Sequence, residues 1–230
     1  MAEPIKDFAY WWDVQGEWVE EPNERREGSS GVQFVVAAEP GQASLYIKRQ
    51  INHCYRSLRH PLGRPTVFRE EQAIRAFNQL GVRTPKLIYC DAQKLPDHWR
   101  ALMVTEELEG FISLDEWYEE HADTEAACTP RLLQDIAQML VTIHQAGWQH
   151  SCCYGKHIFV KTDIDSGQAE VAMLDLEKVR RRWPATSAAL HDLNQLSRHK
   201  GQMPPEDWQA LLQAYAEYWP AMSQRLDALR

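Results

Sequence analysis

The 230-residue sequence has no apolar run approaching the ~20 residues that cross a bilayer. Its first residues, MAEPIKDFAYWW, are acidic and aromatic and hold no secretory apolar segment. Positive charge is not in excess: 25 Lys and Arg stand against 33 Asp and Glu, a formal net charge of −8. The molecule as a whole is therefore not expected to bind nucleic acid. A cysteine framework is also missing. Cys54, Cys90, Cys128, Cys152 and Cys153 are odd in number and irregular in spacing, which argues for reduced thiols and a cytoplasmic setting. No internal repeat is visible.

Hydrophobic residues make up 44% of the chain, enough for one large domain or two small lobes with a sizeable core. Phe8, Tyr10, Trp11, Trp12, Trp18 and Val19 read as a short aromatic element packed on the first lobe. Residues 23–30, NERREGSS, hold no hydrophobic side chain and read as a turn. Two strand patterns follow at residues 31–38 and 43–48, joined by the turn EPGQ, so that the second strand of this hairpin ends on Lys48. Gly28 and Gly31 precede the first of them. Bare Cα atoms let backbone N–H groups approach a phosphate, and an ammonium on the next strand could meet the same phosphate. The plainer alternatives are an ordinary hairpin turn and a solvated lysine.

Residues 49–69 lack any acid and carry five arginines. In an acidic chain this basic stretch suits a phosphorylated sugar, an anionic membrane surface or an acidic partner, unless the arginines pair with acids elsewhere. Pro61, Gly63 and Pro65 prevent it from forming one amphipathic helix. The spacing predicts a helix over residues 66–80, capped by Thr66, with Phe68, Ala73, Ile74, Phe77 and Leu80 on its apolar face and Gly81 at its end. Glu70 or Glu71 on that helix could reach back to Lys48. Strands are expected within residues 82–91 and 100–105. The first lobe is thus a small sheet crossed by one helix.

A hinge is expected at residues 106–111, dividing the chain into lobes 1–107 and 108–230. Beyond it helices are predicted over residues 114–121, 130–146, 187–199 and 205–219. The segment GWQHSCCYGKHIFV (147–160) supplies His150, a polar turn and His157. The segment VAMLDLE (171–177) is a strand that delivers Asp175 at its end, a common way to hold a metal-binding carboxylate. Lys178, Arg180, Arg181 and Arg182 form a second basic cluster. By residue type alone, His150, Cys152, Cys153 and His157 are also zinc ligands, and Cys152 and Cys153 could equally be inert buried thiols.

The order of these features, from glycine loop through strand lysine, helix glutamate, hinge and His150 loop to Asp175, is that of protein-kinase-like folds. More specifically, the strings WVEEPNERREGSSGV, LYIKRQINHCYRSLRHPLGRPTVFREEQAI, LGVRTP, ALMVTEELEG, GWQHSCCYGKHIFVK and MLDLEKVR resemble the lipopolysaccharide kinase (Kdo/WaaP) family, most of all its InaA branch. The resemblance implies an α+β, two-lobed protein-kinase-like fold, with a small antiparallel-sheet lobe carrying one helix and a mainly helical second lobe. It implies ATP and Mg²⁺ as cofactors, held between the lobes. Lys48 would hold the nucleotide phosphates with Glu70 as its partner. Gly28 and Gly31 would form the phosphate loop, and Glu106 and Glu107 would meet the adenine through backbone groups. His157 and Asp175 would be the metal ligands, His150 would open the catalytic loop, and Asp192 would brace it.

One position departs from the family pattern. Where the catalytic loop normally reads His-Arg-Asp, this chain reads His150-Ser151-Cys152. A cysteine thiol, mostly protonated near neutral pH, is no simple substitute for a carboxylate base. Two readings follow. In one the chain is an atypical kinase that phosphorylates a hydroxyl of an anionic sugar of the lipopolysaccharide core, held by Arg56, Arg59 and the 180–182 cluster. It would work in the cytoplasm with peripheral contact to the inner membrane. In the other it is a pseudokinase, a nucleotide-binding or scaffold module in a stress response.

Overall fold

The computed structural model describes residues 6–25, 28–58 and 60–229. The chain forms two compact units, one of Met1–Ile74 with Pro85–Glu109, the other of Arg75–Thr84 with Gly110–Arg230.

In the first unit, helix α1 (Phe8–Asp13) begins where the Asp7 carboxylate accepts a hydrogen bond from the Tyr10 N–H at 3.0 Å. It is followed by strands β1 (Glu17–Arg25), β2 (Gly28–Val35), β3 (Leu45–Ile51), β4 (Cys54–Ser57) and β5 (His60–Pro65), helix α2 (Val67–Gln79), and strands β6 (Leu87–Lys94) and β7 (Trp99–Glu106). Five of these strands form one antiparallel sheet in the order β1-β2-β3-β7-β6, and β4 pairs only with β5. Successive side chains of a strand face opposite ways. Ile47 therefore packs with Leu102 and Val104 against Phe8 and Trp11 of α1, while its neighbour Lys48 faces the other way, toward α2. Of the aromatic element expected on the first lobe, Phe8, Trp11 and Trp12 belong to this α1 cluster, whereas Trp18 and Val19 are exposed on β1.

Several boundaries differ from the sequence reading. Residues 23–30 are mostly strand, and only Arg26 and Glu27, which lie outside the described residues, separate β1 from β2. The hairpin strand does not stop at Lys48. It continues to Ile51 because Gln50, 1% exposed, has a burial role of its own. Its Oε1 accepts from the Val67 N–H at 3.3 Å and from the Thr66 hydroxyl at 3.0 Å. The start of α2 is thus met by a side chain from β3, while the Thr66 carbonyl accepts from the Glu70 N–H at 3.2 Å. On α2, Val67, Ala73, Ile74 and Phe77 are buried but Leu80 is exposed, since Gly81 (φ +78°) turns the chain away directly after it.

In the second unit a two-residue strand β8 (Ile112–Ser113) leads into α3 (Leu114–Glu120). Ser113 and Glu116 exchange side-chain and backbone hydrogen bonds there as a capping box. Helix α4 (Thr129–Gln145) buries Leu132, Leu133, Ile136, Leu140 and Ile143. Strands β9 (Trp148–Gln149), β10 (Ile158–Asp163), β11 (Gln168–Met173) and β12 (Arg180–Arg181) follow, then helices α5 (Ala185–Arg198) and α6 (Pro205–Tyr218). β10 pairs with β11 and β8, and β9 pairs with β12. The unit is mainly helical, as expected, and its small strands position the loop after β9 and the turn after β11.

Candidate functional site

Each unit gathers part of the candidate machinery. In the first, Lys48 Nζ lies 2.8 Å from Glu70 Oε2, with both side chains largely buried. Of the two candidate glutamates, Glu70 makes the ion pair. It does so because it shares the inward face of α2 with Ala73, Ile74 and Phe77. Breaking so buried a pair from one side typically costs about 3–5 kcal/mol, since the other charge is left without compensation.

Gly28 and Gly31 lie inside β2, not in a loop. A Cβ on Gly28 would sit 2.8 Å from the Asn52 carbonyl oxygen, and one on Gly31 would sit 2.8 Å from the Trp18 ring. Close strand packing already accounts for both glycines. The Glu106 N–H donates to the Lys86 carbonyl at 2.9 Å and the Glu107 N–H to the Ser44 carbonyl at 2.8 Å. The Glu106 carboxylate meets Lys86 Nζ at 2.8 Å. Neither of these two N–H groups is therefore available to an adenine.

The basic stretch divides. The Arg49 guanidinium is tied to the Gln33 side chain and to the carbonyl oxygens of Trp11, Trp12 and Val14, and burial lowers its pKa. Arg64 stacks over Phe68 at 4.4 Å and Arg69 over Tyr55 at 4.0 Å. Arg56 remains exposed, and Arg59 lies outside the described residues. In the other cluster Arg181 stacks over Trp148 at 4.1 Å, and Arg182 bonds Gln149 at 3.0 Å.

In the second unit the loop after β9 is built around Asp192, which is fully buried on α5. Its Oδ2 accepts from the His150 N–H at 2.5 Å, and its Oδ1 from the Ser151 N–H at 2.9 Å. Held this way, Ser151 adopts a left-handed conformation (φ +72°) that a non-glycine residue rarely takes unforced. His144 Nε2 donates to Asp192 Oδ2 at 3.3 Å, while its Nδ1 faces the Tyr215 hydroxyl at 2.9 Å. His144 thus belongs to the support. Burial alone would raise the Asp192 pKa, but the hydrogen bond and charge of His144, with His150 behind them, hold it below the ordinary value.

His150 itself is architectural. Its Nδ1 accepts from the Cys152 N–H at 3.3 Å, so Nε2 carries the proton and donates to the Leu174 carbonyl at 2.8 Å. Burial lowers its pKa, in keeping with a neutral ring. That bond also fixes the residue next to Asp175. Asp175 follows β11 in a left-handed conformation (φ +54°). His157 Nδ1 donates to the Cys152 carbonyl at 2.8 Å, and its Nε2 faces Asp175 Oδ2 at 3.5 Å. In the neutral ring that nitrogen presents a lone pair to a carboxylate oxygen. Two acceptors facing each other are reconciled by a cation or a proton between them. One carboxylate and one further ligand suit Mg²⁺, which takes the rest of its shell from water and substrate phosphates. The imidazole is a softer ligand than Mg²⁺ usually takes.

Cys152, 6% exposed, has its Sγ 3.4 Å from Lys178 Nζ. The electrostatic interaction with the neighbouring Cys152 sulfur raises the Lys178 pKa. Tyr154 also hydrogen-bonds Cys152, and burial and that neighbour raise the tyrosine. Cys153 is fully buried, and burial pushes its thiol well up. With both His150 nitrogens committed and Cys153 enclosed, a zinc cage does not form. Among the described residues no group of three or more His, Cys, Asp or Glu side chains is arranged to hold a metal.

Two neighbours escaped the sequence reading. Lys178 was visible only as part of a basic cluster, though it stands three residues beyond Asp175, on the turn that brings it back to Cys152. Asp115 lies under the loop, where a Cβ on Gly155 would come within 1.9 Å of its Oδ1. Burial, then the charge of Glu119, raises its carboxyl. Nothing in the local sequence pairs Asp115 with Gly155.

The family model for "Lipopolysaccharide kinase (Kdo/WaaP) family" matches residues 9–215. The chain is 42% identical over 211 residues to Protein InaA of Escherichia coli (strain K12), covering 91% of this chain and 95% of that one. It is 28% identical over 120 residues to the lipopolysaccharide core heptose(I) kinase WaaP of Pseudomonas aeruginosa, covering 49% of this chain and 44% of that one. Among solved structures, WaaP in complex with acyl carrier protein superposes with a TM-score of 0.70 at 20% identity, over 100% of this chain and 93% of that one. That likeness shows an α+β, kinase-like fold.

Proposed function

The chain belongs to the lipopolysaccharide kinase (Kdo/WaaP) family, and from that premise we propose that it binds ATP with Mg²⁺ and transfers the γ-phosphoryl group to a hydroxyl of an anionic lipopolysaccharide-core sugar. Lys48, aligned by Glu70, holds the nucleotide phosphates. Asp175 and His157 hold the metal, which when bound neutralises charge on the transferring group. Asp192, through the His150 and Ser151 N–H groups, fixes the loop that presents Cys152 to the acceptor. The reaction takes place at the cytoplasmic face of the inner membrane.

The observation that carries this reading is the His157–Asp175 pair, with ring Nε2 and carboxylate Oδ2 3.5 Å apart. The intact Lys48–Glu70 ion pair in the first unit also supports it. Phosphoryl transfer depends mainly on positioning and on charge stabilisation around the metal, so the absence of a carboxylate at position 152 slows the step rather than removing its basis.

The test is transfer of radiolabelled γ-phosphate from ATP to purified lipopolysaccharide core. Wild type is expected to label the acceptor slowly, and Asp175→Ala to reduce labelling at least about 100-fold, as for loss of a principal electrostatic group. Labelling at equal rates by the two proteins would contradict the assignment. Cys152 favours a second reading, a nucleotide-binding pseudokinase. That reading is supported instead if wild type binds ATP but labels no core acceptor.

A further inference from the structure

The β4–β5 hairpin stands apart from the rest of its unit. Among the described residues it joins no larger sheet, and an isolated pair of strands needs packing to be stable in water. Part of it is packed: Tyr55 meets His60 edge-on at 6.2 Å and lies under Arg69, and Arg64 is stacked on Phe68. The rest is not. Leu58 is 103% exposed and Leu62 is 94% exposed, the two most exposed large hydrophobic side chains among the described residues. Arg56, on β4, is also exposed, and no acid occurs anywhere in residues 49–69 although the whole chain carries a net charge of −8.

Two leucines on a narrow hairpin present far less area than the ~800 Å² per partner of a stable protein interface. Hydrocarbon demands no matching surface, and a protruding pair of aliphatic side chains can enter it alone. The arginine on β4 suits phosphate headgroups, and the lack of acids removes the repulsion that the rest of the chain would meet. From these features we infer that the β4–β5 hairpin docks on an anionic phospholipid bilayer, with Leu58 and Leu62 entering the acyl boundary and Arg56 at the headgroups. The inference uses none of Lys48, Glu70, Cys152, His157 or Asp175; Arg56, expected from the sequence to hold an anionic acceptor, is shared with that reading, and the leucine changes test the docking without it.

Flotation of the full chain with vesicles tests this. Wild type is expected to float with phosphatidylglycerol-containing vesicles, to float poorly with pure phosphatidylcholine, and to be released by salt. Leu58→Ser/Leu62→Ser should lower partitioning at least about tenfold, given the transfer free energy of two leucine side chains. Arg56→Ala should lower it less and weaken the salt dependence. The two leucines are almost fully exposed and Arg56 is exposed, so thermal unfolding should be unchanged, and it serves as the control for folding. Failure of wild type to float would overturn the inference. So would equal flotation of wild type and the double-leucine variant, or equal flotation on the two lipids. Conversion of a wild-type dimer to a monomer by the leucine changes, without vesicle binding, would also overturn it and assign the hairpin to a second copy of the chain.

Discussion

Asp192→Ala is expected to destabilise the protein by about 3–5 kcal/mol, measured by chemical denaturation. The carboxylate is fully buried and accepts from the His150 and Ser151 N–H groups and from His144. Alanine leaves all of these donors in a site that water does not reach, and each orphaned donor carries its own desolvation cost. The left-handed Ser151 backbone also loses the partner that enforces it. Asp192→Asn retains an acceptor oxygen and the side-chain shape, and should cost less. The effect depends on pH with a definite sign. The Asp192 pKa is lowered in the folded protein, so its contribution is complete above the unfolded aspartate value of about 3.9 and is lost as pH falls through the folded value. The gap between wild type and Asp192→Ala should therefore close only in acid. Equal stability of the two proteins at neutral pH would show that the loop is held by something else.

Cys152→Asp is expected to raise the rate of phosphoryl transfer by about 10²–10⁴-fold, the usual worth of a general base in place. The surroundings are prepared for a carboxylate. Lys178 Nζ already lies 3.4 Å from the Cys152 sulfur, so the new charge would be paired rather than stranded. The backbone at position 152 is fixed on both sides, its N–H on His150 and its carbonyl on His157. The substituted side chain should therefore point where the thiol now points. A Cys152→Asp variant that folds, binds ATP and transfers no faster than wild type would show that a missing base is not what limits this chain.

Much of this arrangement was legible in the sequence because it depends on local pattern. Strand alternation around Lys48, the period of α2 and α4, and the strand running up to Asp175 each announce themselves within ten or fifteen residues. The choice of Glu70 over Glu71 follows from the buried side of α2, which Glu70 shares with Ala73, Ile74 and Phe77 at helical spacing. Strand β1 was invisible because EWVEEPNER lacks alternation and, beyond Trp18 and Val19, holds only charged residues, Pro22 and Asn23, which are poor strand formers. It pairs as the edge strand of its sheet, where Pro22 and a run of charges are tolerated. The β4–β5 hairpin was hidden for the opposite reason: Pro61, Gly63 and Pro65 read as breakers, and they stop a helix without stopping two short strands. Gly28 and Gly31 were expected in a loop but lie within β2, because a glycine needed for close strand packing has the same letter as one in a turn. The neighbours of Cys152 were out of reach altogether. Lys178 meets it across 26 residues, and Asp115 lies under Gly155 across 40. Sequence spacing carries no signal of either approach.

The central claim is that Lys48 with Glu70, and Asp175 with His157, still bind a metal-bound nucleotide although position 152 is cysteine. Calorimetric titration of ATP, with and without Mg²⁺, into wild type, Lys48→Ala and Asp175→Ala tests it most directly. The account predicts micromolar binding by wild type that requires the metal and is lost in both variants. Absence of binding by wild type, or metal-independent binding that survives both substitutions, would contradict it and leave these residues as remnants of the fold.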